Sequence, residues 1–232
     1  MLGNQKVLAF IGARSGSKGL IDKNIKSFHG KPLMAWTILA ALGSKYIDQV
    51  VVSTDSTEYA TIAKQFGAQV VIRPKALASD EASLMDGLKH TVSALKDDNQ
   101  CFELVVNLQP TSPLRTAKHI DEALALYREH EYKSPNLRVF SCYQVLQKFA
   151  WIMRNNEQGF AQFIDQGEQS KNSHARQSNP EIILPNGAIF ILPTHDLTQF
   201  YNGNTLPYVM SEQESIDIDS QADFDLAERL FS

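Results

Sequence analysis

With 232 residues, the chain is long enough to form one large α/β domain or two small domains with a complete hydrophobic core. Its hydrophobic share of 43% and its charged share of 21% are those of a soluble globular protein. A net charge of −4 leaves no basic excess to neutralise a phosphate backbone, which argues against a general nucleic-acid-binding protein.

The N-terminal segment leads into an apolar run, residues 7–11, that is too short to span a bilayer. No small-residue cleavage site is evident next to it. We interpret this run as the first strand, and we expect a cytoplasmic protein that does not contact a membrane. Cys101 and Cys142 lie far apart and have no metal-ligand spacing, so we interpret them as reduced, buried side chains.

The first two thirds of the chain alternate between short apolar runs and segments whose apolar residues recur at helical spacing. The predicted strands are residues 7–11, 50–55, 69–72 and 104–108, and the predicted helices are residues 32–43, 56–67, 83–95 and 117–127. This alternation implies right-handed crossovers and a mostly parallel sheet. We therefore expect the α/β class, with a three-layer α/β/α, Rossmann-like arrangement.

Beyond about residue 135 the alternation ends. Further segments with the composition of strands are residues 138–143, 149–153 and 187–191. Residues 155–180 are polar and irregular, so we expect a single domain over 1–232 with an excursion at about 140–182. This excursion is interpreted either as a dimerisation arm or as a mobile loop. A last helix is predicted to begin at Ser220, whose hydroxyl and Asp223 form a capping box.

Three polar loops directly follow predicted strands, and ligands of parallel sheets bind at such carboxyl ends. These loops are residues 13–24, 54–56 and 109–112. The first loop combines two glycines with Arg14, Lys18 and Lys23, which suits a polyphosphate because tight turns point amide groups inward beside positive charge. It is not a Walker A loop, since Gly19 follows Lys18, and it lacks the G-x-G-x-x-G dinucleotide fingerprint.

Two carboxylates near the C-terminus form a candidate metal site. If residues 215–219 are extended, Asp217 and Asp219 point to one side while Ile216 and Ile218 point into the core. Paired carboxylates suit Mg²⁺, which usually takes one or two of them together with substrate phosphates and water. The alternative is an exposed acidic edge strand, and the residues alone do not decide between the two.

The first loop, with Ala13-Arg14, Ser17-Lys18-Gly19 and Lys23-Asn24, resembles the signature loop of the CMP-sialic acid synthetases, or acylneuraminate cytidylyltransferases. Further segments look like blocks of this family, in the family's order. They are VSTD (52–55), RP (73–74), LASD (77–80), LQPTSPLR (108–115), PNGAI (185–189) and SIDID (215–219). The resemblance extends along nearly the whole chain and includes the legionaminic and pseudaminic acid cytidylyltransferases.

This resemblance implies an enzyme of the nucleotidyltransferase fold that moves CMP from CTP to the anomeric hydroxyl of a nonulosonic acid, an acidic nine-carbon sugar. It also implies Mg²⁺ as cofactor, a homodimer, and a place in lipopolysaccharide or capsule biosynthesis. The implied nucleotide-binding residues are Arg14, Ser17, Lys18, Lys23, Asn24, Arg73 and Ser83. The implied sugar-binding residues are Gln109, Thr111, Ser112, Lys148, Arg176 and Asn186. Asp217 and Asp219 hold the metal on this view, and they act with Arg14 and Lys18 in catalysis.

Some assignments stay open. Relatives that use N-acetylneuraminate often have an arginine where this chain has Leu184, so the sugar could be legionaminic or pseudaminic acid. We assign no role to Asp55, which ends a strand at the ligand edge but could equally cap the helix after Ser56. The alternative functions are a 3-deoxy-octulosonate cytidylyltransferase and a module that binds CTP without turning it over.

Overall fold

The computed structural model describes residues 2–16, 19–79, 82–145, 153–155, 157–163 and 182–231. The strands are β1 (Val7–Gly12), β2 (Ser27–Phe28), β3 (Lys31–Pro32), β4 (Gln49–Thr54), β5 (Gln69–Ile72), β6 (Leu104–Leu108), β7 (Arg138–Val145), β8 (Met153–Asn155), β9 (Ala161–Phe163), β10 (Ile182–Pro193) and β11 (Thr205–Met210). The helices are α1 (Leu33–Leu42), α2 (Thr57–Gln65), α3 (Leu84–Asp97), α4 (Ala117–His130) and α5 (Gln221–Leu230). In these ranges, no helix combines the length and the apolar composition needed to cross a bilayer.

Seven strands form a central sheet in the order β11-β7-β10-β6-β1-β4-β5. β1 pairs in parallel with both β4 and β6, so that Phe10 lies opposite Val51 on one side and Asn107 on the other. β10 runs antiparallel to β6 and to β7, whereas β11 is parallel to β7. Six of the seven strands in this sheet therefore point the same way. The predicted mostly parallel α/β fold is confirmed.

Helices cover both faces of the sheet because its central strands are apolar on both faces. In β1, Val7, Ala9 and Ile11 pack with side chains of α1, α2 and α4. Leu8 and Phe10 point to the opposite face, where they pack with side chains of α3. The result is the three-layer arrangement that the sequence predicted.

Two helix starts predicted from capping residues are confirmed. At α2, the Ser56 Oγ accepts the Tyr59 N–H at 3.3 Å. At α5, the Ser220 Oγ accepts the Asp223 N–H at 3.3 Å, and the Asp223 carboxylate accepts the Ser220 N–H at 2.8 Å. These bonds satisfy amide groups that the first turn of a helix leaves without a partner. The cap of α2 is thus Ser56 and not Asp55.

The structure adds features that the sequence pattern did not predict, mainly after β7. β11 lies at the sheet edge, where Pro207 is tolerated because no further strand needs its missing amide. Within the predicted excursion, β7 belongs to the sheet up to its last residue, and β8 and β9 form a separate antiparallel pair. The dimerisation arm stays a prediction, because 146–152, 156 and 164–181 lie outside the described residues.

Candidate functional site

The loop after β1 is fixed at the carboxyl edge of the sheet by contacts to β4 and its continuation. The Ala13 N–H donates to the Ser53 carbonyl at 3.0 Å. The next anchor is Asp55, whose two carboxylate oxygens accept the Ser15 N–H at 2.8 Å and the Ser15 hydroxyl at 2.7 Å. Ser17 and Lys18 lie outside the described residues, so their predicted contacts with phosphate stay predictions.

The same loop touches residues 215–219, called the acidic segment below because they include Asp217 and Asp219. The Lys23 ammonium donates to Asp219 Oδ1 at 2.7 Å and to the Ile218 carbonyl at 2.8 Å. Gly19 lies very close to this segment: a Cβ at this position would be 2.5 Å from the Asp219 carbonyl oxygen. Any residue other than glycine would therefore prevent this approach of the two backbones. The two motifs that the sequence analysis singled out therefore meet in one place, although they stand at opposite ends of the chain.

The two carboxylates of that segment lie in different surroundings. Residues 216–219 form no strand, yet Ile218 is fully buried and Ile216 packs against the same cluster, as the alternating pattern predicted. Asp217 is half-buried, and its Oδ1 is buried without a hydrogen-bond partner among the described residues. Burial raises the pKa of Asp217 above its ordinary value, and the nearby Thr111 hydroxyl offsets this only in part. The Asp219 side chain is 76% exposed.

This donor set fits a hard divalent cation. An orphaned carboxylate oxygen in a half-buried position is stabilised when a cation binds it, and Asp219 supplies a second carboxylate two residues away. Within the described ranges, no group of three or more histidine, cysteine, aspartate or glutamate side chains could enclose a metal ion. Mg²⁺ bound here would have to complete its coordination with substrate oxygens and water, as it does in many phosphate-binding sites.

Arg73 is held firmly beneath the loop. It is 5% exposed, and its guanidinium donates to Ser53 Oγ and to the Ser53 carbonyl at 3.3 Å each and to the Leu77 carbonyl at 3.4 Å. Burial lowers the pKa of Arg73, while the charge of Asp55 works the other way. Gly87 of α3 makes room for this side chain, because a Cβ there would lie 2.9 Å from Cζ.

Three other predicted nucleotide-binding residues occupy the same edge. The Asn24 side chain is buried and donates to the Arg14 carbonyl at 3.3 Å, while Arg14 reaches the Ala78 carbonyl at 3.4 Å. Ser83 is exposed and forms the N-cap of α3, where its hydroxyl donates to Asp86 at 2.7 Å. Asn24 therefore shapes the loop from within, and Ser83 starts the helix that covers Arg73.

The predicted sugar loop, residues 109–112, stands beside the acidic segment. The Ile218 N–H donates to the Thr111 carbonyl at 2.9 Å. The Gln109 carboxamide lies against Gly187, where a Cβ would approach it to 3.1–3.2 Å. The Ser112 hydroxyl is fully buried and has no hydrogen-bond partner in the part of the chain that the structure describes. Gln109 and Thr111 are thus brought next to the candidate metal site.

Asn186 serves the framework of the site. It is 5% exposed, and its Oδ1 accepts the Ser141 hydroxyl at 2.5 Å and the Ala188 N–H at 3.1 Å. Its Nδ2 donates to Ser215 Oγ at 2.8 Å. The amide therefore connects β7 and β10 to the turn that precedes the acidic segment. The other two predicted sugar-binding residues, Lys148 and Arg176, lie outside the described residues.

Comparison with known families bears directly on this geometry. A family model described as "Cytidylyltransferase" matches residues 8–230 of the chain, which is nearly its whole length. The chain belongs to the cytidylyltransferase family. The resemblance read from the motif blocks is thereby confirmed at the level of the family.

Two curated relatives place this cytidylyltransferase chain more closely. It is 38% identical over 225 residues to an N-acylneuraminate cytidylyltransferase of Escherichia coli, covering 96% of this chain and 51% of the relative. It is 33% identical over 230 residues to a CMP-N,N'-diacetyllegionaminic acid synthase of Legionella pneumophila, covering 97% of this chain and 96% of the relative. The chain thus spans about half the length of the first relative and nearly all of the second.

Solved structures confirm the cytidylyltransferase fold. A CMP:2-keto-3-deoxy-manno-octonic acid synthetase complexed with CTP matches with a TM-score of 0.72 at 17% identity, covering 97% of this chain and 98% of that one. A 4-diphosphocytidyl-2C-methyl-D-erythritol synthase from Anaerococcus prevotii matches with a TM-score of 0.66 at 15% identity, covering 98% and 96%. At these identities the likeness concerns the fold alone.

Two residues of this cytidylyltransferase have site contacts that the sequence analysis did not assign. One is Asp55, whose bond to Ser15 joins residues 40 positions apart. The other is Arg115, which is 2% exposed and donates to Thr37 Oγ1 at 2.6 Å and to the Gln109 carbonyl at 3.3 Å. Burial lowers the pKa of Arg115 to about 9. The position of Asp55 at a strand end was a usable signal, whereas nothing in the sequence indicated that Arg115 is buried.

Proposed function

We propose that this chain transfers CMP from CTP to the anomeric hydroxyl of a nonulosonic acid and releases pyrophosphate. The observation that carries the proposal is the contact between the loop after β1 (residues 13–24, called the phosphate loop below) and the acidic segment, where Lys23 and Asp219 lie 2.7 Å apart. A polyphosphate held by the loop would then lie beside the paired carboxylates. The names of the two relatives described above support the choice of CTP and of an acidic nine-carbon sugar.

In this reaction the sugar hydroxyl attacks the α-phosphorus of CTP, a new P–O bond forms, and the bond to the β-phosphate breaks. Arg14, Lys18 and the loop amides are proposed to hold the triphosphate and to neutralise its charge, which is how most phosphoryl and nucleotidyl transfer is accelerated. Arg73 and Asn24 are proposed to fix the nucleotide end of the substrate. Placing the hydroxyl in line with the leaving pyrophosphate is the other main contribution.

We propose that Asp217 and Asp219 hold Mg²⁺, which would neutralise charge on the phosphates as the pyrophosphate leaves. The orphaned Oδ1 of Asp217 supports this assignment, because a bound cation would satisfy it. Asp219 already accepts a bond from Lys23 through Oδ1, so its second oxygen is the one available to a cation. Lys23 then keeps the loop attached to the metal-binding segment while CTP is bound.

The sugar is proposed to be of the N-acylneuraminate or legionaminate type. Gln109 and Thr111 stand beside the acidic segment, and Gly187 leaves room for the Gln109 carboxamide. Residue 184 is leucine, which pairs with Tyr143 in the sheet, so its apolar side chain offers no charge to the sugar carboxylate. Lys148 and Arg176 are proposed to meet that carboxylate. We favour the legionaminate type, because the Legionella relative is matched over 96% of its length.

The test is a pyrophosphate-release assay with CTP, Mg²⁺ and separate neuraminic, legionaminic, pseudaminic and octulosonic acids. We expect turnover with at least one nonulosonic acid and none with the octulosonic acid. Asp219→Asn should abolish metal-dependent turnover with an unchanged circular dichroism spectrum, while Asp225→Asn, which alters an exposed carboxylate of α5, should not. Turnover with octulosonic acid alone would support the alternative transferase, and CTP binding without turnover would support the binding module.

We also propose that the protein is a cytoplasmic homodimer that supplies a CMP-sugar for lipopolysaccharide or capsule biosynthesis. The support for this part is the family resemblance and the polar segment between β7 and β10. Light scattering of the purified protein measures the dimer directly. Removing residues 156–180 should give a monomer and should raise KM for the sugar more than KM for CTP, since Arg176 would be lost with the arm.

A further inference from the structure

The phosphate loop is anchored on both sides of its centre by residues around the start of α2. On one side, the Asp55 carboxylate accepts the Ser15 N–H at 2.8 Å and the Ser15 hydroxyl at 2.7 Å. On the other side, the Tyr59 hydroxyl donates to Asp22 Oδ1 at 3.1 Å. In sequence these two contacts flank Ser17 and Lys18, the centre of the loop. Each contact crosses from one element to another.

The bidentate bond of Asp55 has no part in capping the neighbouring helix, since Ser56 caps α2. Partial burial is the largest single effect and works against the charged form of Asp55. The hydrogen bonds from the Ser15 side chain and backbone, the Asp55 amide and the charge of Arg73 together outweigh it, and the pKa of Asp55 lies below its ordinary value. The group is therefore an anion at neutral pH. An anion close to a proposed triphosphate site repels CTP and weakens its binding, unless the same anion also stabilises the site in another way.

We propose that Asp55 is a positioning residue that holds the start of the phosphate loop, at Ser15, in its CTP-binding position before CTP arrives. This inference rests on the proposed function, because it assumes that the loop binds CTP. A loop that is ordered in advance loses less conformational freedom when its ligand binds, and this gain appears directly in affinity. Both oxygens of the carboxylate accept bonds from Ser15, so Asp55 holds this residue at two atoms.

Two effects of opposite sign can therefore be separated by removing the carboxylate. If positioning dominates, Asp55→Ala weakens CTP binding because the loop must be ordered at the moment of binding. If repulsion dominates, the same change strengthens CTP binding. Ser15→Ala removes the hydroxyl bond but keeps the charge and the backbone bond, so positioning predicts a smaller loss. Because both variants break the same bond, their effects should not add in the double variant.

Asp121 provides a matched control. Its Oδ1 accepts the Ser44 hydroxyl at 2.6 Å and the Lys45 N–H at 3.1 Å, which is the same type of pair at the end of α1. The contact lies outside the loop, the acidic segment and the sugar loop. Asp121→Ala should lower the melting temperature about as much as Asp55→Ala, but it should leave CTP binding unchanged.

The experiment measures the Kd of CTP in the presence of Mg²⁺ by calorimetry, together with the melting temperature, for the full chain and its variants. We expect Asp55→Ala to raise Kd at least about tenfold, which corresponds to about 1.4 kcal/mol. In steady-state assays KM for CTP should rise in parallel while KM for the sugar stays the same. Faster hydrogen exchange at the Ser15 amide, measured without CTP, should accompany the loss.

A Kd for Asp55→Ala within twofold of the wild type, or below it, overturns the inference, and so does an equal loss in Asp121→Ala. Failure of the proposed function looks different. If the wild type binds CTP but releases no pyrophosphate with any acidic sugar, the transferase assignment fails, while the comparison of Kd values still decides the role of Asp55. If the wild type does not bind CTP at all, both proposals fall.

Discussion

Gly87, in the interior of α3, is the position where helix propensity and tertiary structure make opposite predictions. Alanine is more favourable than glycine inside a helix by about 1 kcal/mol, so propensity alone predicts that Gly87→Ala stabilises the protein. The added Cβ would, however, lie 2.9 Å from both Cζ and Nη2 of Arg73. Nonbonded contacts to carbon are ordinarily about 3.5–4.0 Å, so the guanidinium must move by about 0.5 Å or more.

Arg73 has little freedom to make that move. It is 5% exposed, and its bonds to Ser53 and Leu77 are already 3.3–3.4 Å long, so a further shift breaks at least one of them. A buried donor left without its partner costs about 1–3 kcal/mol, and more when it is charged. After the gain in helix propensity, we expect a net loss of at least about 1 kcal/mol, and each 1 kcal/mol lowers Tm by about 2–4 °C in a domain of this size. CTP binding should weaken as well, because Arg73 is displaced.

Thermal denaturation followed by circular dichroism, and calorimetry with CTP and Mg²⁺, measure the two effects. Ser93→Ala is the matched control, because Ser93 is exposed in the same helix and its replacement changes propensity without touching Arg73. Its Tm should stay constant or rise slightly, and its Kd for CTP should be that of the wild type. If Gly87→Ala raises Tm and binds CTP normally, Arg73 is not held as described, and its proposed role in nucleotide binding loses its support.

Three further predictions concern other sites. Asn107 is fully buried between Phe10 and Phe190, and neither amide atom has a hydrogen-bond partner among the described residues. Because Asn107→Val removes two buried polar atoms without partners, it should raise Tm by about 2–4 °C in a melting experiment. At Gly187, where φ is +73°, the change Gly187→Ala adds backbone strain of about 1–2 kcal/mol and displaces the Gln109 carboxamide. Because Gln109 is proposed to bind the sugar, KM for the sugar should rise and KM for CTP should not. The expectation that both cysteines are buried is wrong for Cys101, which is exposed, and right for Cys142. Burial raises the pKa of Cys142 to about 11, so iodoacetamide at about pH 8 should modify Cys101 in the folded protein, and mass spectrometry should find Cys142 modified only after denaturation. A lower Tm, an equal rise in both KM values, or early modification of Cys142 would contradict these expectations in turn.

The sequence predicted the fold well wherever local patterns decide it. The apolar run of β1 requires burial on both faces, and Ser56 and Ser220 start helices through bonds to amides three residues away. The composition of a strand does not show which way it runs in the sheet, so the antiparallel direction of β10 could not be predicted. β11 was missed because its exposed outer edge demands little of its sequence, and Pro207 normally indicates that a strand is absent.

The sequence predicted the individual segments of the site better than the contacts between them. Charge and spacing indicated the loop and the acidic segment, and family blocks placed both in one protein. The bond from Asp55 to Ser15 depends on the pairing of β1 with β4, which no local pattern records. Arg115 is a charged residue in a polar loop, which normally indicates exposure, and its burial follows from packing against Thr37 and Gln109.

The bond between Lys23 and Asp219 also sets the order of events during synthesis. These residues are 196 positions apart, and domains generally fold as units during synthesis. All residues up to position 219 must therefore have left the ribosome before this candidate site can be complete. A product that ends before residue 217 lacks both carboxylates, and we expect no metal-dependent turnover from it.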